Sequence, residues 1–265
     1  MISFKKAFLF TGMIIAYRQL GEVFSYFGVN IFEINSSFDD LFLYTYPLIY
    51  IILILLCSKF NISEIKKILR VKKRKKIISI SLFSIILIVC VYILIPTFLN
   101  FALFIYRDEN IRVYYYEHSM FSFFSLLLFA PVLEELFFRR IIAHQFFERY
   151  GYKKALYYSA FLFAIMHIPR FYELPMIFAF GILVAYIYLK TKNIYITMGV
   201  HFTNNLYCIY NDIHPKPISG WFNTIYFKIP YFWIYYTLCF FGLIFLARVS
   251  YCYINNYYKL YVSEE

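Results

Sequence analysis

Eight stretches of mostly apolar residues, each near or above 17 residues long, recur along this chain: 7–27, 41–58, 78–105, 119–147, 153–169, 173–190, 192–212 and 222–247. A helix needs about 20 such residues to cross the roughly 30 Å hydrocarbon core of a bilayer. Within that core each backbone N–H and C=O must find its partner inside the segment, which an α-helix provides. The recurrence therefore predicts an all-α, polytopic membrane protein with about eight transmembrane helices. Composition agrees, because 62% of the 265 residues are hydrophobic and 15% charged, against about 45–50% and about 25% in soluble domains. No single soluble core hides that much apolar surface.

The formal charge of +11 invites a nucleic-acid reading, but its distribution opposes one. Basic residues fall in short blocks between apolar runs, the pattern of membrane topology and not of a phosphate-tracking groove. The loop 59–76 holds nine Lys/Arg and one Glu, so the positive-inside rule makes it cytoplasmic. Alternation then puts the 28–40 loop, with Glu33, Asp39 and Asp40, outside. Arg149, Lys153, Lys154, Lys190 and Lys192 fall inside, and both termini are cytoplasmic. The 59–76 segment reads equally as an interfacial helix on anionic lipid or as a solvated loop. Lys5 and Lys6 before an apolar run resemble the front of a signal peptide, yet no small-residue cleavage site follows, and a retained first span is expected. Cys57, Cys90, Cys208, Cys239 and Cys252 are odd in number, form no CxxC, and read as small hydrophobes.

An ionisable residue inside a span costs roughly 2.5–3.5 kcal/mol at the helix centre, so each one calls for a functional explanation. The fourth span carries Glu134, Glu135, Arg139 and Arg140, the fifth His167, and the seventh His201 with Asn205. Glu135 and Arg139 are four apart with the acid N-terminal, the favourable order for an intrahelical pair. Glu134 is turned about 100° from Glu135 on an ideal helix and is less well neutralised, which makes it the chemical carboxylate and Glu135 the supporting one. Phe163 sits one turn before His167 as an apolar wall. At about 1.5 Å per residue, Glu134, His167 and His201 lie about 20, 20 and 14 Å from the inner ends of their helices. Three helices thus deliver one carboxylate and two imidazoles to a similar depth.

That set suits water activation, and two schemes fit it. A buried carboxylate can take a proton from water. Alternatively, Glu134, His167 and His201 form a His₂Glu site for zinc or another divalent metal, with one position open to water. The amide of Asn205 can hydrogen-bond a developing oxyanion. Against both stands a plain structural reading, in which an intramembrane His or a Glu–Arg pair is a packing device between helices. His144, toward the cytoplasmic end of the fourth span, and His118 and His214, in outside loops, are given no chemical role.

The order of these residues resembles the CPBP intramembrane proteases, also called the Abi or type II CAAX prenyl endopeptidase family. Glu134–Glu135 with Arg139 resembles the EExxxR motif, Phe163 with His167 the FxxxH motif, and His201 with Asn205 the HxxxN/B motif; Phe180–Gly181 fits a weaker Gly-containing motif. The resemblance implies a CAAX-protease-like helical bundle with a cavity open toward the cytoplasm. It implies endopeptidase action, with Glu134 and His167 activating water and His201 and Asn205 binding the oxyanion. It covers about 119–210, leaving 118 N-terminal residues of spans and basic loop and a C-terminal span and tail, 211–265, within one membrane domain, 1–265. The implied substrate is a membrane-embedded or lipid-anchored peptide or protein, in a setting such as peptide maturation or bacteriocin self-immunity. The competing function is a non-enzymatic immunity or scaffold protein of the same fold; a transporter is disfavoured because no repeat symmetry is visible.

Overall fold

The computed structural model describes residues 2–31, 37–58, 66, 76–103, 123–168, 174–213 and 232–261. Most of the basic stretch 59–75, together with His118 and His214, lies outside these residues. Among the described residues every regular element is helical. Eight helical stretches follow one another: α1 (Phe4–Ile31), α2 (Ser37–Cys57), α3 (Ile77–Leu103), α4 (123–150), α5 (Tyr152–Ile165), α6 (Leu174–Thr191), α7 (Ile194–Ile213) and α8 (Phe232–Tyr261). Among the described residues, windows in two of them are long and apolar enough to cross a membrane, Leu174–Thr191 and Thr237–Leu260. Pro47–Cys57 and Ile77–Cys90 are shorter apolar helices.

The helix α4 is irregular in a way that matters for the site. It contains two π-helical segments, Ser125–Phe129 and Glu135–Ala143, joined by the α-helical turn Ala130–Glu134 and followed by His144–Tyr150. π-Helical turns, with i→i+5 hydrogen bonds, are rare and concentrate at functional sites. The second begins between the two adjacent glutamates. Gly151, at φ 80 and ψ 175, breaks the chain between α4 and α5 in a conformation that side chains rarely adopt.

The described residues fall into two compact units, 1–73 with 119–201 and 74–118 with 202–265. In the first, α5 packs along α6, and both rest on the π segment of α4. Small residues make this approach close. A Cβ on Gly181 would lie 3.2 Å from the Cα and the carbonyl oxygen of Ala160, the kind of backbone-to-backbone packing that small residues permit between membrane helices. Phe137, Phe138, Ile142 and Phe146 from α4 are sealed in this core, together with Tyr50 and Leu53 from α2. The start of α1 docks beside the end of α4: the Phe4 N–H donates to the Tyr150 hydroxyl at 3.2 Å, and its ring lies 4.9 Å from that of Tyr158. In the second unit α3 packs on α8, with Phe83 stacked on Tyr253 at 4.1 Å.

Candidate active site

The π segment, α5, α6 and the first turns of α7 bring a polar cluster into an apolar interior. Glu134 and His201 are each 4% exposed, and Glu135 and Arg139 are fully buried. Such charges are tolerated inside a protein only in company. The company is specific. His201 Nδ1 lies 2.9 Å from Glu135 Oε1. The other carboxylate oxygen, Oε2, is 3.4 Å from Arg139 Nε. That second contact is an ion pair and not a hydrogen bond, for none of the three Arg139 nitrogens has a hydrogen-bond partner. The Arg139 guanidinium instead lies over the Phe163 ring, 4.3 Å from its centre, where the negative π-face attracts a cation.

Glu135 therefore does two jobs. It balances the charge of Arg139, and it fixes the His201 ring by accepting a hydrogen bond at Nδ1. A carboxylate on one imidazole nitrogen sets the orientation of the other. That other nitrogen, Nε2, faces Glu134 Oε2 across 3.9 Å. The gap is too wide for a direct hydrogen bond and is one that a shared water can close. Phe163 and Phe180 wall this edge, their ring centres 5.9 Å and 5.2 Å from that of His201.

His167 joins the cluster through Phe163. It lies in the turn after α5, half-buried, with Nδ1 2.9 Å from the Phe163 carbonyl oxygen and its ring 4.9 Å from the Phe163 ring. The fifth apolar stretch runs to 169, and the helix ends at Ile165, shortly before Pro169, which disfavours α conformation at the residue preceding it. Asn205 is one turn beyond His201 on α7, in the part of that helix assigned to the second unit, where its Oδ1 lies 3.2 Å from Asn204 Nδ2.

Among the described residues no group of three or more His, Cys, Asp or Glu side chains is placed to hold a metal ion. Nδ1 of His201 is committed to Glu135, and Nδ1 of His167 is turned to its own helix. As placed, Glu134, His167 and His201 do not make a three-ligand set.

The contact between Glu135 and His201, 66 residues apart, is absent from the sequence reading, which gave Glu135 to Arg139 alone. Spacing within a helix carries no sign of it. Nor does spacing reveal Tyr50, whose hydroxyl reaches Met166 Sδ beside His167 and whose ring meets Phe137 edge-on at 5.9 Å.

Residues 116–207 match the family model of type II CAAX prenyl endopeptidase Rce1-like proteins. The matched segment holds the whole cluster from Glu134 to His201. A protein of Bacillus subtilis (strain 168) named "Putative membrane peptidase YdiL" is 29% identical over 86 residues, which is 32% of this chain and 35% of the relative. The match thus spans about a third of that relative's length. No solved structure matches this chain.

Proposed function

We propose that this chain is a membrane-embedded endopeptidase of the CAAX-protease type, spanning the bilayer about eight times with both termini cytoplasmic, and that Glu134 is its general base. The observation that carries this reading is a buried carboxylate facing the free edge of an imidazole whose other edge is anchored: Glu134 Oε2 and His201 Nε2 across 3.9 Å, with Glu135 on Nδ1. The eight helical stretches and the segment matched to the Rce1-like model support the architecture.

In the proposed reaction, a water held between Glu134 and His201 attacks the carbonyl carbon of a peptide bond. Glu134 takes the water's proton, and the carbonyl oxygen becomes an oxyanion. The C–N bond then breaks, and Glu134 returns the proton to the leaving nitrogen. His201, fixed by Glu135, orients the water or, when protonated, donates from Nε2 to the oxyanion. On the resemblance, His167 assists the water and Asn205 the oxyanion. The proposed substrate is a membrane-embedded or lipid-anchored peptide or protein, processed in peptide maturation or in self-immunity to a bacteriocin.

The test compares membrane peptides in cells carrying wild-type protein and Glu134→Gln. The substitution keeps shape and removes the proton acceptor. Cleavage products present with wild type should vanish with Glu134→Gln while the variant still inserts at normal level. Identical peptide profiles would sink the enzymatic reading and favour a non-enzymatic role. Elemental analysis checks the zinc alternative: about one metal per chain, lost in both His167→Ala and His201→Ala, would replace the metal-free scheme.

A further inference from the structure

One end of the first unit carries cations in excess. The turn between α4 and α5 exposes Arg149, Lys153 and Lys154; the last turn of α6 adds half-buried Lys190, and the turn after it Lys192, whose ammonium is buried. The docked start of α1 sets Lys5 and Lys6 beside them, both exposed. The sole described carboxylate between 136 and 201 is Glu148, and it faces His144 at 3.3 Å.

Aromatic rings support several of these cations. Lys190 Nζ lies 5.0 Å from the centre of the Tyr152 ring, Lys192 Nζ 3.8 Å from that of Phe147, and the Arg149 guanidinium 5.4 Å from that of Tyr150. Neither Lys192 Nζ nor the Nδ2 of buried Asn193 has a hydrogen-bond partner. Tyrosines mixed with exposed lysines are the composition of a membrane–water interface. Cations near a negatively charged leaflet are each attracted by about 1 kcal/mol, close to a factor of five in affinity.

We propose that this end, built from the Gly151 turn and the Lys192–Asn193 turn, is a binding face for anionic phospholipid headgroups of the cytoplasmic leaflet. The inference rests on the membrane-embedded reading and is independent of the peptidase chemistry. A surface with five exposed cations, Lys5, Lys6, Arg149, Lys153 and Lys154, beside one described carboxylate would gain nothing from its charge at a zwitterionic leaflet, whereas phosphatidylglycerol-type lipid neutralises it. The excess of exposed cations makes the face selective for net negative lipid.

The experiment uses the full chain purified in an uncharged detergent, with dioleoyl phosphatidylglycerol and dioleoyl phosphatidylcholine as probes and native mass spectrometry as readout. Wild type should bind phosphatidylglycerol in preference to phosphatidylcholine. Lys153→Gln with Lys154→Gln, both exposed, should weaken phosphatidylglycerol binding by roughly twenty-five-fold, two factors of about five, and leave phosphatidylcholine unchanged. Lys5→Gln with Lys6→Gln, both exposed, should act in the same direction. Glu134→Gln should bind lipid like wild type, which separates this face from the proposed chemistry. Equal binding of the two lipids by wild type, or no loss in either double variant, would overturn the proposal. So would displacement of the lipid by equimolar inorganic phosphate, which would mark a site for the free ion. Recovery of the chain without detergent in the soluble fraction would overturn it by removing the membrane reading on which it stands.

Discussion

Glu135→Gln is the substitution most informative about how the buried cluster is held. It leaves an oxygen to accept from His201 Nδ1 but strips the charge that faces Arg139 at 3.4 Å. Arg139 is then a fully buried cation whose nitrogens make no hydrogen bonds. Removing one member of a buried ion pair costs about 3–5 kcal/mol, because the survivor is left uncompensated. Glu134 is a second carboxylate acting on Arg139, and the Phe163 face at 4.3 Å offers some compensation. The lower end, about 3 kcal/mol, is therefore expected. That is about a hundredfold in the folding equilibrium. Sodium dodecyl sulfate titration in mixed micelles, followed by circular dichroism, measures it. The pairing also predicts rescue. Glu135→Gln combined with Arg139→Met removes both charges and keeps a flexible apolar side chain on Phe163, so the double variant should regain at least half the loss. Two results would refute the reasoning: Glu135→Gln as stable as Glu134→Gln, or a double variant no better than the sum of its singles.

Two further outcomes follow from local geometry. Gly181→Ala forces a Cβ to within 3.2 Å of the Ala160 backbone; overpacking of this kind costs about 1–3 kcal/mol, and because Phe180 beside it walls His201, thermal stability and the proposed peptidase activity should fall together. A variant with wild-type melting and activity would mean that the helices separate without effect. Burial lowers the Lys192 ammonium from its usual 10.5 to about 8, with Glu148 raising it and Arg140 lowering it. Between those values the unfolded chain binds more protons than the folded one, so stability rises with pH. The destabilisation is full below about pH 8 and is relieved toward 10.5. Wild type should therefore gain on Lys192→Met across that window in uncharged detergent; parallel pH profiles would contradict it.

The positions of the helices were legible because apolar run length is a one-dimensional property. Segments expected at 173–190 and 192–212 appear as Leu174–Thr191 and Ile194–Ile213. The last helix was less legible. It was read as stopping at 247, where Arg248 begins a more polar stretch, yet it runs on to Tyr261, with Ser250, Ile254 and Tyr257 buried. Packing there outweighs composition. The residue types of the site were legible because ionisable groups stand out in an apolar span. Their wiring was not. An ideal α-helical rotation was assumed through Glu134 and Glu135, and the chain changes to i→i+5 bonding at that step. No spacing rule for α-helices encodes such a step, and the link from Glu135 to His201 exists only once α7 is packed.

The Phe163 ring meets several members of the cluster at once. It supports Arg139, neighbours His167 and His201, and meets Phe138 and Phe180 at 5.4 Å and 6.1 Å. Residues that share one partner do not respond independently to substitution. A change at Arg139 alters the ring that His201 rests against, and a change at Phe180 alters the ring that holds Arg139. Substitutions in this cluster should accordingly show strong epistasis, with the order of acquisition deciding which combinations survive. A laboratory lineage selected for a new substrate would then be expected to change Phe163 late, after its neighbours have adapted to a ring of different size.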